Sequence, residues 1–165
     1  MKSAKRTLFV FLIIFLCIGA DQLTKKIVRS DLPRTRPIVL VKGLLKLDYA
    51  DNRGGVFVFE ILLPQKWRGK TVTAAAALLL GLIILLLTIS GRLPFLCLLG
   101  ISLFCGGSLS NLIDRIALGK VIDFVNFSAA GFEPYIFNLA DVAIATGITL
   151  AMLGAVTQVV RIVLR

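Results

Sequence analysis

Four stretches of this sequence stay apolar long enough to matter to a membrane, and the polar stretches between them differ in character. The first follows a basic opening (Lys2, Lys5, Arg6) and runs uncharged for thirteen residues, from Leu8 to Ala20. That is short of the ~20 residues a spanning helix needs. It would suit the core of a secretory signal peptide, with Ile18-Gly19-Ala20 as a small-residue cleavage site. The helical pattern also continues through Gln22, Leu23, Ile27 and Val28, which sets Asp21 and Lys25 on one face at i and i+4. We expect that second reading, an uncleaved span over about 7–28. Three further spans follow over about 71–89, 94–113 and 137–160, the one over 94–113 continuing helically through Asn111 to Arg115.

Residues 29–70 carry no such period. Pro33, Pro37, Pro64 and several glycines punctuate them. Ile38–Val41, Leu44–Tyr49 and Val56–Phe59 read as short strands, with turns at Lys42-Gly43 and Asn52-Arg53-Gly54-Gly55. Trp67, among Lys66, Arg68 and Lys70, reads as an interfacial anchor before the second span. The other loop, about 114–136, offers one short strand at Val121–Phe127.

Composition sharpens this picture. Of 165 residues, 58% are hydrophobic, and the mean hydropathy is +0.93. A soluble domain is about 45–50% apolar, so the chain reads as a single integral-membrane domain over 1–165, with no room for a soluble one. Nineteen Lys and Arg against nine Asp and Glu give a formal charge of +10. On a membrane protein that favours contact with anionic phospholipid headgroups, each basic residue near the surface contributing roughly 1 kcal/mol. Nucleic acid is the other partner of a basic chain, and no module here could carry it.

The sequence has no histidine. That excludes a Ser-His-Asp triad and His-ligated zinc. Cys17, Cys97 and Cys105 lie in apolar runs without CxxC spacing and read as small buried hydrophobes. No metal and no cofactor is expected.

Four spans place both termini on one side and both long loops on the other. All nine acidic residues then fall on the loop side or at span ends facing it. Charge does not settle orientation. Thirteen Lys and Arg lie on the loop side against six on the terminal side, while the compact basic cluster before the first span argues the opposite.

Ionisable groups at the edge of a span are functional candidates. Asp123 and Asp141 come from a loop and from the first turn of a helix, so the fold could bring them together. Two such carboxylates can share a proton and activate water. The bland alternative makes Asp141 a helix cap and pairs Asp123 with Arg115 or Lys120. Asn111, Asp114 and Arg115 stand at i, i+3 and i+4, near one helical face. Arg115 could hold a carbonyl or phosphate, or neutralise Asp114. Asn138 could orient a carboxylate or satisfy backbone at the start of a span.

Four motifs now stand in order: Asp21-Gln22-Leu23-Thr24-Lys25; Asn52-x-Gly54-x-x-Phe57; Gly106-Gly107 through Asn111, Asp114-Arg115, Gly119, Val121 and Asp123-Phe124; and Phe137-Asn138-x-Ala140-Asp141. With them the chain closely resembles lipoprotein signal peptidase (signal peptidase II), the membrane aspartic protease of bacteria, over essentially its whole length. The resemblance implies an all-α membrane protein of four transmembrane helices, with a small strand-rich periplasmic cradle inserted between the first and second. It implies Asp123 and Asp141 as the catalytic dyad, and Asn52, Gly54, Asn111, Arg115 and Asn138 as substrate-binding or dyad-positioning residues. Asp21, Lys25 and Asp114 would give structural support. It further implies a diacylglyceryl prolipoprotein substrate cut just before its lipid-modified cysteine. The enzyme would be a monomer in the bacterial inner membrane, with cytoplasmic termini and an active site at the outer face. Two positions depart from the family's usual pattern: Ser110 stands where glycine is common, and Val56 follows Gly55 where small residues are common.

Two other classes compete. A small transporter would use intramembrane carboxylates for coupling, yet the second span contains no charge. A membrane scaffold would bind anionic lipid through its basic loop and tolerate alanine at both aspartates.

Overall fold

The computed structural model describes residues 3–52, 68–90, 93–128 and 135–164. Four helices, α1 (Ser3–Asp31), α2 (Arg68–Ile89), α3 (Phe95–Leu118) and α4 (Leu139–Val163), alternate with four strands. These are β1 (Ile38–Val41), β2 (Leu45–Asn52), β3 (Val121–Phe127) and β4 (Tyr135–Phe137). All four helices are long and apolar enough to cross a membrane. A spanning segment must satisfy its own backbone hydrogen bonds, which is why the apolar runs are helical. The expected strand at 56–59, Gly54, Val56, Trp67 and the Arg92 turn lie outside the described residues.

In α1 the buried side chains are Arg6, Val10, Ile14, Asp21, Lys25 and Val28, continued by Leu32 just beyond the helix. They recur at three, four or seven residues and so form one stripe. The helix is continuous from the apolar run into the polar pair, as the uncleaved-span reading requires. Leu8 and Phe15, 70% and 67% exposed, point away from that stripe toward the space a bilayer would fill. At the other end of the helix, buried Arg6 turns inward and donates to the carbonyl of Leu87. That carbonyl lies in the last turn of α2, where backbone acceptors lack helical partners and a cation is favoured.

Helix α3 is the centre of the bundle, packed against each of the other three. Helices in lipid gain little from hydrophobic burial and associate by close packing, so small residues belong at their contacts. Gly100, Gly107, Gly147 and Gly154 do this between α3 and α4. A Cβ on Gly147 would stand 2.5 Å from the Gly100 carbonyl oxygen and 2.6 Å from the Phe104 nitrogen. Both are backbone atoms that cannot rotate away. Cys97 and Cys105 are buried, and Cys17 is partly buried against Gly106.

Helix α3 continues past the span bound of about 113 through Arg115, as expected, and on to Leu118, with Asn111 and Asp114 of its last turns buried. Gly119 ends it at φ 70°, the left-handed conformation that suits glycine at a helix C-terminus.

The strands form one antiparallel sheet in the order β1-β2-β3-β4. Two strands do come from between α1 and α2, as expected. The other two come from between α3 and α4, so the sheet joins both loops. The β2–β3 register sets Ala50 opposite Asp123 and Asn52 opposite Val121. Ile122 and Phe124 of β3 bury against Val28 and Leu32, which seats the sheet on the end of α1.

The glycine contacts make a direct prediction. Gly147→Ala overpacks the α3–α4 seam and should destabilise the protein by about 1–3 kcal/mol, read as a lower thermal midpoint in detergent. Gly81→Ala meets nothing within 4 Å and should leave the midpoint unchanged or slightly higher.

Candidate active site

The site sits where the sheet meets the ends of α1, α3 and α4. Its base is a buried charge cluster. Lys25 Nζ lies 2.6 Å from Asp21 Oδ2 and 2.8 Å from Asp114 Oδ2. It also donates to Asn111 Oδ1 at 2.9 Å. An ammonium has three N–H donors, and here each has an acceptor. Asp21 Oδ1 in turn accepts the Ala140 N–H at 2.9 Å. That donor belongs to the first turn of α4, where backbone N–H groups have no helical partner. One carboxylate thus ties the first span to the last.

Asn138 opens α4 as its N-cap, in a reciprocal capping box with Asp141. Its Oδ1 accepts the Asp141 N–H at 2.9 Å, and Asp141 Oδ2 accepts the Asn138 N–H at 3.1 Å. This fixes which way the amide faces. With oxygen committed to the cap, Asn138 Nδ2 points outward and donates to Asp123 Oδ1 at 2.7 Å and to Asn111 Oδ1 at 3.1 Å. Asn111 is fixed by the same logic. Its oxygen faces the donors Lys25 and Asn138, so its Nδ2 donates to Asp141 Oδ1 at 2.9 Å. Asn52, at the end of β2, donates from Nδ2 to the remaining oxygen of Asp123, Oδ2, at 2.8 Å.

The structure therefore gathers Asp123, Asp141, Asn52, Asn111 and Asn138 at one point, with Asp21, Lys25 and Asp114 behind them. Asp141 is indeed a helix cap, and this is compatible with its place beside Asp123, since its two oxygens serve different donors. Lys120, a conceivable partner for Asp123 from sequence, donates instead to Asp51 at 2.6 Å. That bond holds the exposed Asp51 carboxyl below its usual range. Asp114 turns to Lys25 and Gln22. Arg115 donates to the Asn111 carbonyl at 3.4 Å and lines the cavity described next. Gly54 lies outside the described residues.

Burial is the main influence on Asp123, which is 2% exposed. It raises the carboxyl above its ordinary range, and the charge of Asp141 adds to the rise. The amides of Asn52 and Asn138, and the more distant Lys25, pull in the opposite direction by favouring the anion. The balance leaves Asp123 inclined to keep a proton beside a second carboxylate.

A cavity of about 990 Å³ opens beside the pair, walled by α2 and α3. Val72, Leu80, Ile83 and Phe104 make its apolar wall, and Asn52, Asn111, Arg115 and Asp141 mark its polar end. An apolar slot leading to a few convergent polar groups is the usual form of a binding site. Among the described residues, no group of three or more His, Cys, Asp or Glu side chains could hold a metal ion.

Sequence reasoning assigned no role to Gln22. Its Nε2 reaches Asp114 Oδ1 at 2.9 Å and Ser110 Oγ at 3.1 Å. The available signal was its position beside Asp21, at the polar end of an apolar helix. Ser110 was visible only as a departure from a pattern, and its bonding depends on how α1 packs on α3.

Comparison with known proteins gives concordant results. A family model described as signal peptidase (SPase) II matches residues 13–157. The chain is 34% identical over 142 residues to a lipoprotein signal peptidase of Oleidesulfovibrio alaskensis, spanning 86% of this chain and 90% of that one. It is 37% identical over 139 residues to one of Clostridioides difficile, spanning 82% and 86%. Two solved structures of bacterial membrane enzymes, each 23% identical, share its fold with TM-scores of 0.73 and 0.75. The first covers 92% of this chain and 89% of the other, the second 89% and 92%.

The raised Asp123 carboxyl can be tested by infrared titration of the protein in detergent. A protonated-carboxyl band that is absent in Asp123→Asn should persist above the ordinary Asp value of about 3.9. Asn52→Ala removes a donor to the anion and should move that titration further up. Because the folded value is raised, this group's contribution to stability is complete below the unfolded value. It disappears as pH rises through the folded one.

Proposed function

The chain belongs to the signal peptidase II family, and on that premise we propose that it removes the signal peptide from diacylglyceryl-modified prolipoproteins, cleaving just before the lipid-bearing cysteine. Membership makes it a peptidase of bacteria, and its four long apolar helices make it a multi-pass membrane protein. The observation that carries the finer reading is the pair Asp123 and Asp141. Two carboxylates from separate segments meet through one asparagine, and every carboxylate oxygen of the pair has a fixed donor.

In this reading Asp123 holds the proton shared by the pair, and Asp141, served by the Asn111 amide and the Asn138 backbone N–H, is the anion. A water between them gives its proton to Asp141 while its oxygen attacks the peptide carbonyl. Asp123 protonates the carbonyl oxygen as the tetrahedral intermediate forms. When the intermediate collapses, the C–N bond breaks, Asp141 passes its proton to the leaving nitrogen, and Asp123 recovers its own. One water is consumed, leaving one carboxyl and one amine. The proton belongs to the coupled pair, and kinetics would report apparent values for both together.

The substrate's character fits the cavity. Its apolar wall suits a signal helix and lipid chains that stay in the bilayer, while its polar end meets the peptide bond near the span ends. Asn52 and Arg115 at that end would hold the extended peptide, the role proposed for Gly54 as well. The sheet would form the cradle on the outer face, leaving the termini cytoplasmic, and a monomer suffices because one chain supplies the whole pair. The entire chain acts as one peptidase domain, without a cofactor.

The test is cleavage of a lipidated prolipoprotein by purified protein in detergent, alongside the same substrate without its diacylglyceryl group. Only the lipidated form should be cut. Asp123→Asn and Asp141→Asn should each fold and lose cleavage by at least about 10³-fold, in line with losing an acid or base in its full role. Normal processing by either variant would refute the assignment.

A further inference from the structure

Ser110 belongs to the polar network behind the carboxylate pair, and the catalytic reading gives it no part. Ser110 is fully buried. A serine inside a helix commonly bonds the carbonyl four residues back, as Ser102 does to Leu98 O at 2.6 Å. Ser110 does otherwise. Its Oγ donates across the helix interface to Asp21 Oδ2 at 2.7 Å. Gln22 Nε2 donates to the same Oγ at 3.1 Å, which occupies the hydroxyl's acceptor side and leaves its proton for Asp21.

We propose that Ser110 is a positioning residue for the carboxylate pair: by giving Asp21 its own donor, the hydroxyl keeps Lys25 centred among three acceptors and so keeps Asn111 turned toward Asp141. The inference rests on the reading of Asp123 and Asp141 as the catalytic pair. Asp21 Oδ2 has two donors, Ser110 Oγ and Lys25 Nζ. Remove the hydroxyl, and Lys25 alone must serve that oxygen. The ammonium is already nearer Asp21, at 2.6 Å, than Asn111 Oδ1, at 2.9 Å. Drawn further toward Asp21, it loosens the contact that fixes the Asn111 amide. Asn111 Nδ2 then no longer holds Asp141 in a single orientation, and Asn138 loses a partner on the side facing Asp123.

The charged groups around this network are Lys25 on α1, Asp114 and Arg115 on α3, Asp141 on α4 and Asp123 on β3. Ser110 touches neither carboxylate of the pair among the described contacts, so its effect passes through Asp21, by way of Lys25 to Asn111 and by way of the Ala140 N–H to the first turn of α4. A loosened pair slows the chemical step without altering how the substrate docks in the cavity, which Ser110 does not line.

The experiment compares the full chain with S110A and S110T, using a lipidated prolipoprotein and Asp123→Asn as the inactive reference. For S110A the expected result is a loss of about three- to ten-fold in kcat, less than a full hydrogen bond to a charged group because the hydroxyl acts on the pair only through Asp21. KM should be unchanged and the pH–rate profile displaced from wild type. S110T, which keeps the hydroxyl, should retain the wild-type profile. The infrared titration of the Asp123 band gives a readout that needs no turnover, and it should also shift in S110A. If the wild type fails to cleave, the catalytic reading falls, and the infrared comparison still decides whether Ser110 acts on the pair. An S110A protein with wild-type kcat, pH profile and infrared titration overturns the proposal, as does a loss confined to thermal stability. A folded S110T that loses as much activity as S110A also overturns it.

Discussion

A lysine ammonium enclosed between helices at the edge of a membrane has to be fully solvated by the protein or it cannot stay charged. Lys25 meets this demand with Asp21, Asp114 and Asn111, and the geometry of the site follows from it. Removing a single partner from such a buried ionic group costs about 3–5 kcal/mol, because the remaining charge is left uncompensated. The cluster is therefore rigid, and its members come from α1 and α3, with the Asp21 contact to Ala140 extending it to α4. Three spans that lipid alone would leave free to slide are held in one register at their polar ends.

Rigidity there becomes orientation one layer outward. An asparagine side chain can face either way, and its two ends differ only in donating or accepting. Lys25 can only donate, so it selects the oxygen of Asn111; the helix cap selects the oxygen of Asn138. Both amides then present nitrogen to the carboxylates. Asn111 is directed by Lys25, which does not itself touch the pair, and Asn138 by the backbone N–H of Asp141 at the start of α4. Preorganised polar groups in a site shielded from bulk water are what water activation at a peptide bond requires.

The remaining architecture places this point relative to a membrane. Glycine contacts let α3 and α4 approach closely enough for residues 111 and 138 to touch. The sheet, stitched from both loops, brings Asn52 to Asp123 by strand pairing and packs onto the end of α1. Beside it, the apolar cavity runs along α2 and α3 to the polar end that Asn52, Asn111, Arg115 and Asp141 mark.

The four spans were legible in the sequence because a bilayer demands about twenty apolar residues in helical form, and that demand is local. The one-sidedness of the acidic residues followed from counting spans, and the identity of the family from motif order. Strands Ile38–Val41 and Val121–Phe127 were visible as short runs rich in β-branched and aromatic residues between turn signals. The sequence could not show that these two loops form one sheet, since pairing of β2 with β3 joins residues about seventy positions apart. Nor could it show that α3 extends to Leu118, because the polarity of its last turns is explained only by the neighbours they face. The same holds for Lys25, Gln22 and Ser110. Their residue types announce hydrogen bonding, but their partners lie on other helices, and only the packing of those helices decided which donor meets which acceptor.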